Sequence, residues 1–128
     1  MAITHPVAVR NSIANHVVDK MDAGAGAGKF VFRTSGTADA PGTEVATLTA
    51  SNPAFGDANS GSASANAIQK DASATGGDIG TITMEDSTGV VVVHGVVALA
   101  GGDINVNKLT AEPGEEVSLS GVTYTACP

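Results

Sequence analysis

Aromatic residues are scarce in this sequence, and Trp is absent. The 128 residues include four aromatic side chains, Phe30, Phe32, Phe55 and Tyr124, but 16 glycines. Aromatic side chains normally supply much of the buried apolar surface of a core, and each glycine inside a strand costs about 0.5–1 kcal/mol relative to Ala. The composition therefore predicts a thin aliphatic core, so we expect partner contacts to contribute to the stability of the protein.

Positive charge is also scarce, and it is scattered along the chain. Six Lys and Arg residues stand against 13 Asp and Glu residues, which gives a net charge of −7 at pH 7. Nucleic-acid binding needs clustered cations that displace counterions from phosphates, and anionic membrane surfaces attract the same kind of cluster. We therefore predict no nucleic-acid partner and no membrane partner.

Cysteine and long hydrophobic runs are nearly missing. Because Cys127 is the single cysteine, we expect no intrachain disulfide. We expect it to be a small apolar residue at the end of a strand, with a link between chains as the alternative. The valine run at residues 90–93 is broken by His94 and Gly95, far short of the ~18 apolar residues of a membrane span. The first residues lack the pattern of a signal peptide, which predicts synthesis in the cytoplasm.

Motifs of catalysis and metal binding are not found either. The glycine-rich segment at residues 24–29 lacks the glycine spacing and the hydroxyl residue of a phosphate-binding P-loop. The glutamates around Pro113 and Gly114 do not follow the EF-hand spacing, and no nucleophile elbow is present. The histidines match no ligand spacing: His5, His16 and His94. We therefore predict no enzymatic activity, no cofactor and no bound metal.

One helix is predicted over residues 4–23. Thr4 is the expected N-cap, Pro6 is tolerated in the first turn, and Gly24 ends the helix. Apolar residues recur every four positions, and this stripe is expected to pack on a sheet: Val9, Ile13, Val17 and Met21. Much of the remaining circumference is polar: Arg10, Asn11, Asn15, Asp19 and Asp22.

Beyond residue 28 the apolar period changes from four to two, which indicates short strands. The predicted strands are residues 30–33, 44–49, 67–69, 79–85, 90–99, 104–107, 117–120 and 122–126. The strongest signal is a hairpin of 79–85 and 90–99 around a turn at 86–89. Pro113 and Gly114 predict a type II turn, a change of parity at Gly121 predicts a bulge, and residues 57–66 are predicted to be a loop.

Turn signals recur every 8–12 residues, and no helical pattern lies between the strands. This arrangement is typical of antiparallel sandwiches and argues against a doubly wound parallel sheet. The expected fold is therefore mainly β: an antiparallel β-sandwich, jelly-roll-like or Greek key, with one N-terminal amphipathic α-helix. We expect a single domain over residues 1–128, with an arm and helix at 1–24 and the sandwich at 29–128.

Sheet edges are the main candidates for function, because their unpaired N–H and C=O groups can bind neighbouring strands. We expect residues 1–6, or a sheet edge, to contact a neighbouring molecule. The turn around Pro53 is either a further contact or a staple for the core. The candidate partner contacts are therefore Ile3, Thr4, His5, Pro6, Pro53 and Phe55.

Three blocks of the sequence resemble small proteins of tailed bacteriophages and prophages. The first is residues 3–6 with 8–11 and the helix that runs to Gly24. The second is residues 51–56 followed by 65–68, and the third is the ending at 117–128. Residues 79–85 depart from the resemblance, because an aromatic residue is expected there and none is present. The resemblance implies a structural protein of a virion.

Within virions, the resemblance favours a capsid decoration (cement) protein on the outer surface of the head. It implies a homo-oligomer, with a trimer favoured, that clamps adjacent subunits of the major capsid protein through many weak contacts. An acidic protein suits that position because the outer surface does not touch packaged DNA. The alternatives are a tail, neck or fibre component and a carbohydrate-binding surface module.

Overall fold

The computed structural model describes residues 3–126, so the prediction for Cys127 lies outside the described residues. Helix α1 (Val7–Asp19) continues into a 3-10 turn (Lys20–Asp22). Nine short strands follow over this part of the chain: β1 (Lys29–Arg33), β2 (Glu44–Thr49), β3 (Ser62–Ser64), β4 (Gly77–Asp78), β5 (Thr81–Glu85), β6 (Val91–Ala98), β7 (Ile104–Asn105), β8 (Thr110–Ala111) and β9 (Thr123–Thr125).

Five of these strands form one curled sheet with the shape of a half-barrel. Their order is β2-β1-β5-β6-β7, and β3–β9 and β4–β8 form two smaller ladders. All neighbours are antiparallel except β6 and β7, which run parallel with Val97 opposite Ile104. The chain is thus mainly strands with one N-terminal helix, as predicted. The sandwich is not confirmed, and the purely antiparallel pairing was wrong.

The parallel pair arises from the loop at residues 99–103, which brings the chain around beside the strand it has just left. Gly101 adopts a φ of +78°, a backbone conformation that glycine reaches without strain. The Asp103 carboxylate accepts a hydrogen bond from the Val96 N–H at 2.8 Å, and Val106 N–H donates to Ala98 C=O at 2.9 Å. No periodic pattern of apolar residues marks these bonds, so the sequence did not predict the parallel pair.

The core lies on one face of the central pair, β1 and β5. Phe30 is opposite Met84 and Phe32 is opposite Ile82 in the antiparallel register, and all four side chains are buried. Strand alternation sets this face, because successive side chains point to opposite sides of the sheet. The few large side chains of the sequence are therefore concentrated in one layer.

The helix packs through a different stripe from the one predicted. Val9 is 42% exposed, and Ile13 and Val17 are only half-buried. The prediction that these three residues pack the helix on the sheet was therefore wrong. The main strand contacts of the helix are with β3 and β9, so its buried face is rotated from the stripe of the four-residue pattern. The buried residues of the helical segment are Ala14, Val18 and Met21.

The polar side of the helix binds a loop. Asn11, Asn15 and Asp22 each accept a hydrogen bond from a backbone N–H group of residues 54–61, at 2.7–2.8 Å. A buried or half-buried backbone N–H needs a partner, and these short side chains provide one. Polar helix residues therefore tie the helix to the loop that precedes β3.

The helix begins later than predicted. It starts at Val7 with Pro6 at the N-cap position and no side-chain cap, so the N-cap assigned to Thr4 was wrong. A residue that precedes proline is disfavoured in the α region, which keeps His5 out of the helix. Residues 3–6 consequently form an exposed arm without regular secondary structure.

Some of the predicted strands are confirmed, and others are not. The strand at 44–49 and the hairpin of β5 and β6 are confirmed. The predicted strands at 67–69 and 117–120 are reduced to isolated bridges, Gln69 with Thr49 and Val117 with Asp71. Strand β3 lies inside the predicted loop, since its sequence Ser-Ala-Ser has little strand propensity and pairing with β9 creates it.

Two predicted turns are confirmed by their hydrogen bonds. Glu115 N–H donates to Glu112 C=O at 3.0 Å around Gly114, whose φ is +85°, as a type II turn requires. In the hairpin turn, the Asp86 carboxylate accepts bonds from Thr88 N–H and the Thr88 hydroxyl at 2.8 and 2.7 Å, and from Val90 N–H at 3.0 Å. The Thr88 hydroxyl first, and the Val90 N–H second, lower the pKa of Asp86 from its usual value of 3.8.

Asp86 therefore links the stability of the hairpin to pH. Because the folded state lowers the pKa, its stabilising contribution is present above 3.8 and is lost as the pH falls through the lower folded value. We expect Asp86→Ala to lower the melting temperature at neutral pH and to reduce the further loss of stability in acid. Circular dichroism melts between about pH 7 and about pH 2 measure both effects.

The matched control is Asp39→Ala, which removes a carboxylate from the exposed loop between β1 and β2. It is expected to leave the melting temperature at neutral pH nearly unchanged. If both variants melted like the wild type at every pH, Asp86 would have no structural role in the turn.

Candidate interaction surface

The large exposed apolar side chains of the described residues are confined to two segments. One segment is the arm and the first turns of α1, and the other is β6 with the residues that flank it. Isolated apolar residues on a surface are normal, whereas concentrated ones mark sites of interaction. The exposed large side chains are Ile3, Val7 and Val9 in the first segment, and Val90, Val96 and Leu99 in the second.

Both segments are also free of formal charge. Residues 3–9 and 87–102 contain no Asp, Glu, Lys or Arg, in a chain whose net charge is −7. Burying a charge at an interface is costly unless it finds a partner, and a strongly acidic protein repels other acidic surfaces. These segments are therefore where another protein surface can approach with the least electrostatic cost.

An ion pair supports β6 from the neighbouring strands. Arg33 of β1 and Glu85 of β5 are joined by a 2.7 Å contact between Nη2 and Oε2. Arg33 Nε donates to Thr83 Oγ1 at 3.1 Å, and the Thr83 hydroxyl donates to Glu85. Thr83 and Glu85 are 0% and 5% exposed, and Thr83 lies opposite His94 of β6. The network joins β1 to β5, and β5 in turn pairs with β6.

This network was not predicted from the sequence. Arg33 and Glu85 lie at the ends of two predicted strands, each on the face opposite a run of alternating apolar residues. In the antiparallel register Glu85 lies opposite Lys29, and Arg33 lies opposite Thr81. Cross-strand pairing rules therefore do not join Arg33 to Glu85, and 52 residues separate the two in the sequence.

Among the candidate partner contacts, the structure separates exposed from buried positions. Ile3, Thr4, His5 and Pro6 are all exposed, with Ile3 at 85%. Pro53 is exposed as well. Phe55 is only 4% exposed, so it is a core residue and is removed from the partner contacts.

Phe55 reaches the core by packing on the central strands. Its ring centroid lies 6.2 Å from that of Phe30, with the ring planes tilted by 51°. The turn that carries it is fixed by a hydrogen bond from Asn66 Nδ2 to Pro53 C=O at 3.0 Å. Of the two interpretations of this turn, the one in which Phe55 anchors it to the core agrees with the structure.

A groove opens between β6 and β9, on the concave side of the half-barrel. Its volume is about 280 Å³. The lining is mostly apolar, and consecutive residues of both strands, 93–95 and 122–125, form its two walls. The large side chains that line it include Ile82, Met84, Val93, Ile104, Val122 and Tyr124.

The glutamates near the turn at Pro113 are engaged with lysines. Lys108 Nζ lies 3.0 Å from Glu115 Oε1, and Lys70 Nζ lies 2.8 Å from Glu116 Oε2. The Glu112 N–H first, and the Lys108 hydrogen bond second, lower the pKa of Glu115. Both ion pairs are largely exposed, and such pairs contribute about 0–1 kcal/mol. They define a solvated turn.

Within residues 3–126, no three His, Cys, Asp or Glu side chains come together in a way that could hold a metal ion. No helix in the same range has the length and apolar character needed to cross a membrane. Comparison with known protein families, with curated proteins and with solved structures finds no match to this chain.

Removing Arg33 is expected to destabilise the pairing of β1 with β5. Arg33→Ala leaves the buried Glu85 carboxylate without its cation, and losing one partner of a buried ion pair costs about 3–5 kcal/mol. Urea unfolding of the purified protein measures the change in the free energy of unfolding. The expected result is a large drop in the urea midpoint.

Lys70→Ala is the matched control, because it breaks an ion pair whose side chains are 54% and 56% exposed. The expected change for this variant is below about 1 kcal/mol. Equal unfolding midpoints for the two variants would show that the Arg33–Glu85 pair contributes no more than a surface pair.

Proposed function

We propose that this chain is a structural protein of a virion, of the capsid decoration type. It binds the outer surface of a phage head and stabilises contacts between neighbouring major capsid subunits. The observation that carries the proposal is that the large exposed apolar side chains among residues 3–126 are confined to two charge-free segments of an acidic chain. The resemblance of three sequence blocks to proteins of tailed phages supports the same conclusion.

The end of β6 is the surface proposed to meet the shell. Val96 lies in β6 and Leu99 directly follows it, and they are 50% and 60% exposed. Strand β6 pairs with β5, which the Arg33–Glu85 network joins to β1. A rigid platform loses little conformational freedom on binding, so more of the contact energy is retained. Exposed apolar side chains on such a platform suit docking on a fixed lattice of capsid subunits.

A decoration protein acts through many copies. We propose a homo-oligomer, with a trimer favoured, in which each copy contributes a small contact and the linked contacts reinforce one another through effective concentration. Binding to the expanded shell alone would stabilise that shell by mass action. The proposed location is the outer surface of the virion, after synthesis in the host cytoplasm.

Carbohydrate binding has less support from the surface. Sugar rings stack on exposed aromatic side chains, and three of the four aromatic residues of this chain are buried while Tyr124 is half-buried. A tail, neck or fibre component would use the same apolar surface. The distribution of copies on the particle distinguishes that alternative from a decoration protein.

The proposal is tested by adding purified protein to undecorated, expanded heads of the phage or prophage that encodes it. Electron cryomicroscopy is expected to show saturable density with the symmetry of the shell. The double variant Val96→Asp with Leu99→Asp is expected to bind about tenfold more weakly or worse, because each tenfold corresponds to about 1.4 kcal/mol.

Ala38→Asp provides the matched control, since it adds one negative charge at an exposed position of the loop between β1 and β2. It is expected to bind like the wild type. Failure of the folded wild-type protein to bind the heads would overturn the decoration role, and density restricted to the tail would replace it with the tail alternative.

A further inference from the structure

We propose that the groove between β6 and β9 receives the N-terminal arm of a second copy of this chain. The arm consists of residues 3–6, and it would enter as an added strand. The proposal does not depend on a capsid partner. It concerns how copies of the chain join one another, and its test uses the purified protein alone.

The first wall of the groove is the free edge of β9. Ala65 N–H donates to Val122 C=O at 2.8 Å, and Ala126 N–H donates to Gly61 C=O at 2.9 Å. Val122, Tyr124 and Ala126 therefore direct their backbone groups toward β3. Because these directions alternate along a strand, the backbone groups of Thr123 and Thr125 point away from β3. They are available to another strand.

The second wall is the part of β6 that precedes its pairing with β7, which covers only Val97 and Ala98. Val97 N–H donates to Gly80 C=O at 3.0 Å, whereas Val96 N–H points the other way, to Asp103. By alternation, His94 shares the outward direction of Val96. The structure describes no backbone partner for His94 on this edge among residues 3–126. Its ring Nε2 is buried and has no hydrogen-bond partner there either.

The space between the walls suits a short piece of extended chain. The interior is apolar, with Met84, Val93 and Val122 in its lining, and the volume is about 280 Å³. Sites for small molecules usually measure about 300–1,000 Å³, so this groove is at the small end. A strand inserted here would pair with Thr123 and Thr125 of β9 and with the backbone groups of His94 on β6, which would cover the free edge of β9.

The arm has the properties of that strand. Ile3 is 85% exposed, and Ile3 and Thr4 are β-branched residues that favour strands. Pro6 has no N–H group, so it ends the pairing where the helix begins. Four extended residues span about 13 Å, which matches the four residues 122–125 of the facing wall.

Charge favours a second copy as the source of the arm. Two copies, each with a net charge of −7, repel one another except where uncharged surfaces meet. The arm has no charged residue, and the one charged residue that lines the groove is Asp103, whose carboxylate is bound to Val96 N–H. Both surfaces occur once per chain, so each copy provides an arm and accepts one. Such head-to-tail contacts form a ring where the rotation between copies closes and an open filament where it does not.

The first test substitutes the arm. Wild-type protein is expected to sediment as an oligomer, and Ile3→Asp is expected to dissociate it with at least an approximately 30-fold loss of affinity. The side chain is exposed in the single chain, so the circular dichroism spectrum is expected to stay unchanged. Ala38→Asp is the control, because it adds the same charge at an exposed position outside the arm and the groove.

The second test locates the arm. In a Cys127→Ser background, copies with Ile3→Cys are mixed with copies that carry Thr123→Cys or Thr125→Cys. Disulfides are expected between unlike copies at one or both groove positions, since cysteines on adjacent strands meet the required Cα separation of about 4.4–6.8 Å. Copies with Ala38→Cys are the control and are expected to cross-link far less.

Three results would overturn the proposal. They are a wild-type protein that remains a monomer at every concentration, an oligomer whose mass is unaffected by Ile3→Asp, and cross-linking at both groove positions no stronger than at Ala38→Cys. None of these results depends on binding to heads. The arm exchange and the decoration role therefore stand or fall separately.

Discussion

The pairing of β1 with β5 is the interaction on which the rest of the molecule depends. On one side it brings the phenylalanines of β1 onto Ile82 and Met84 of β5, and on the other side it joins Arg33 to Glu85. Strand β5 is buried along its whole length as a result. Nearly all of the buried apolar side chains among residues 3–126 belong to one cluster, and this pair of strands organises it.

The small number of large apolar residues also affects the surface. The sheet curls around its small core but does not close, which leaves the groove between β6 and β9 and the exposed apolar end of β6. Open edges and uncharged apolar segments are features that soluble proteins usually cover. Their concentration in two segments of an acidic chain favours a protein that is completed by its neighbours in an assembly.

Errors in the sequence-based predictions have a common physical origin. The stripe of Val9, Ile13 and Val17 has helical spacing, yet the helix turns a neighbouring face toward β3 and β9 because Asn11 and Asn15 bind the loop beside them. Phe55 was a candidate for both the core and the surface until its contact with Phe30 was known. In each case the sequence pattern was read correctly, but the segment that packs against these residues could not be identified from the sequence.

Local chemistry alone determined several features: the helix that follows the arm, the hairpin around Asp86, the turn at Gly114 and the charge-free runs. Periodicity, turn propensities and charge act over a few residues, so they can be recognised in the sequence. Tertiary structure decided the parallel pairing of β7, the strand character of β3, the Arg33–Glu85 pair and the open groove. These features depend on which distant segments become neighbours, and the packing of the whole chain determines which segments do.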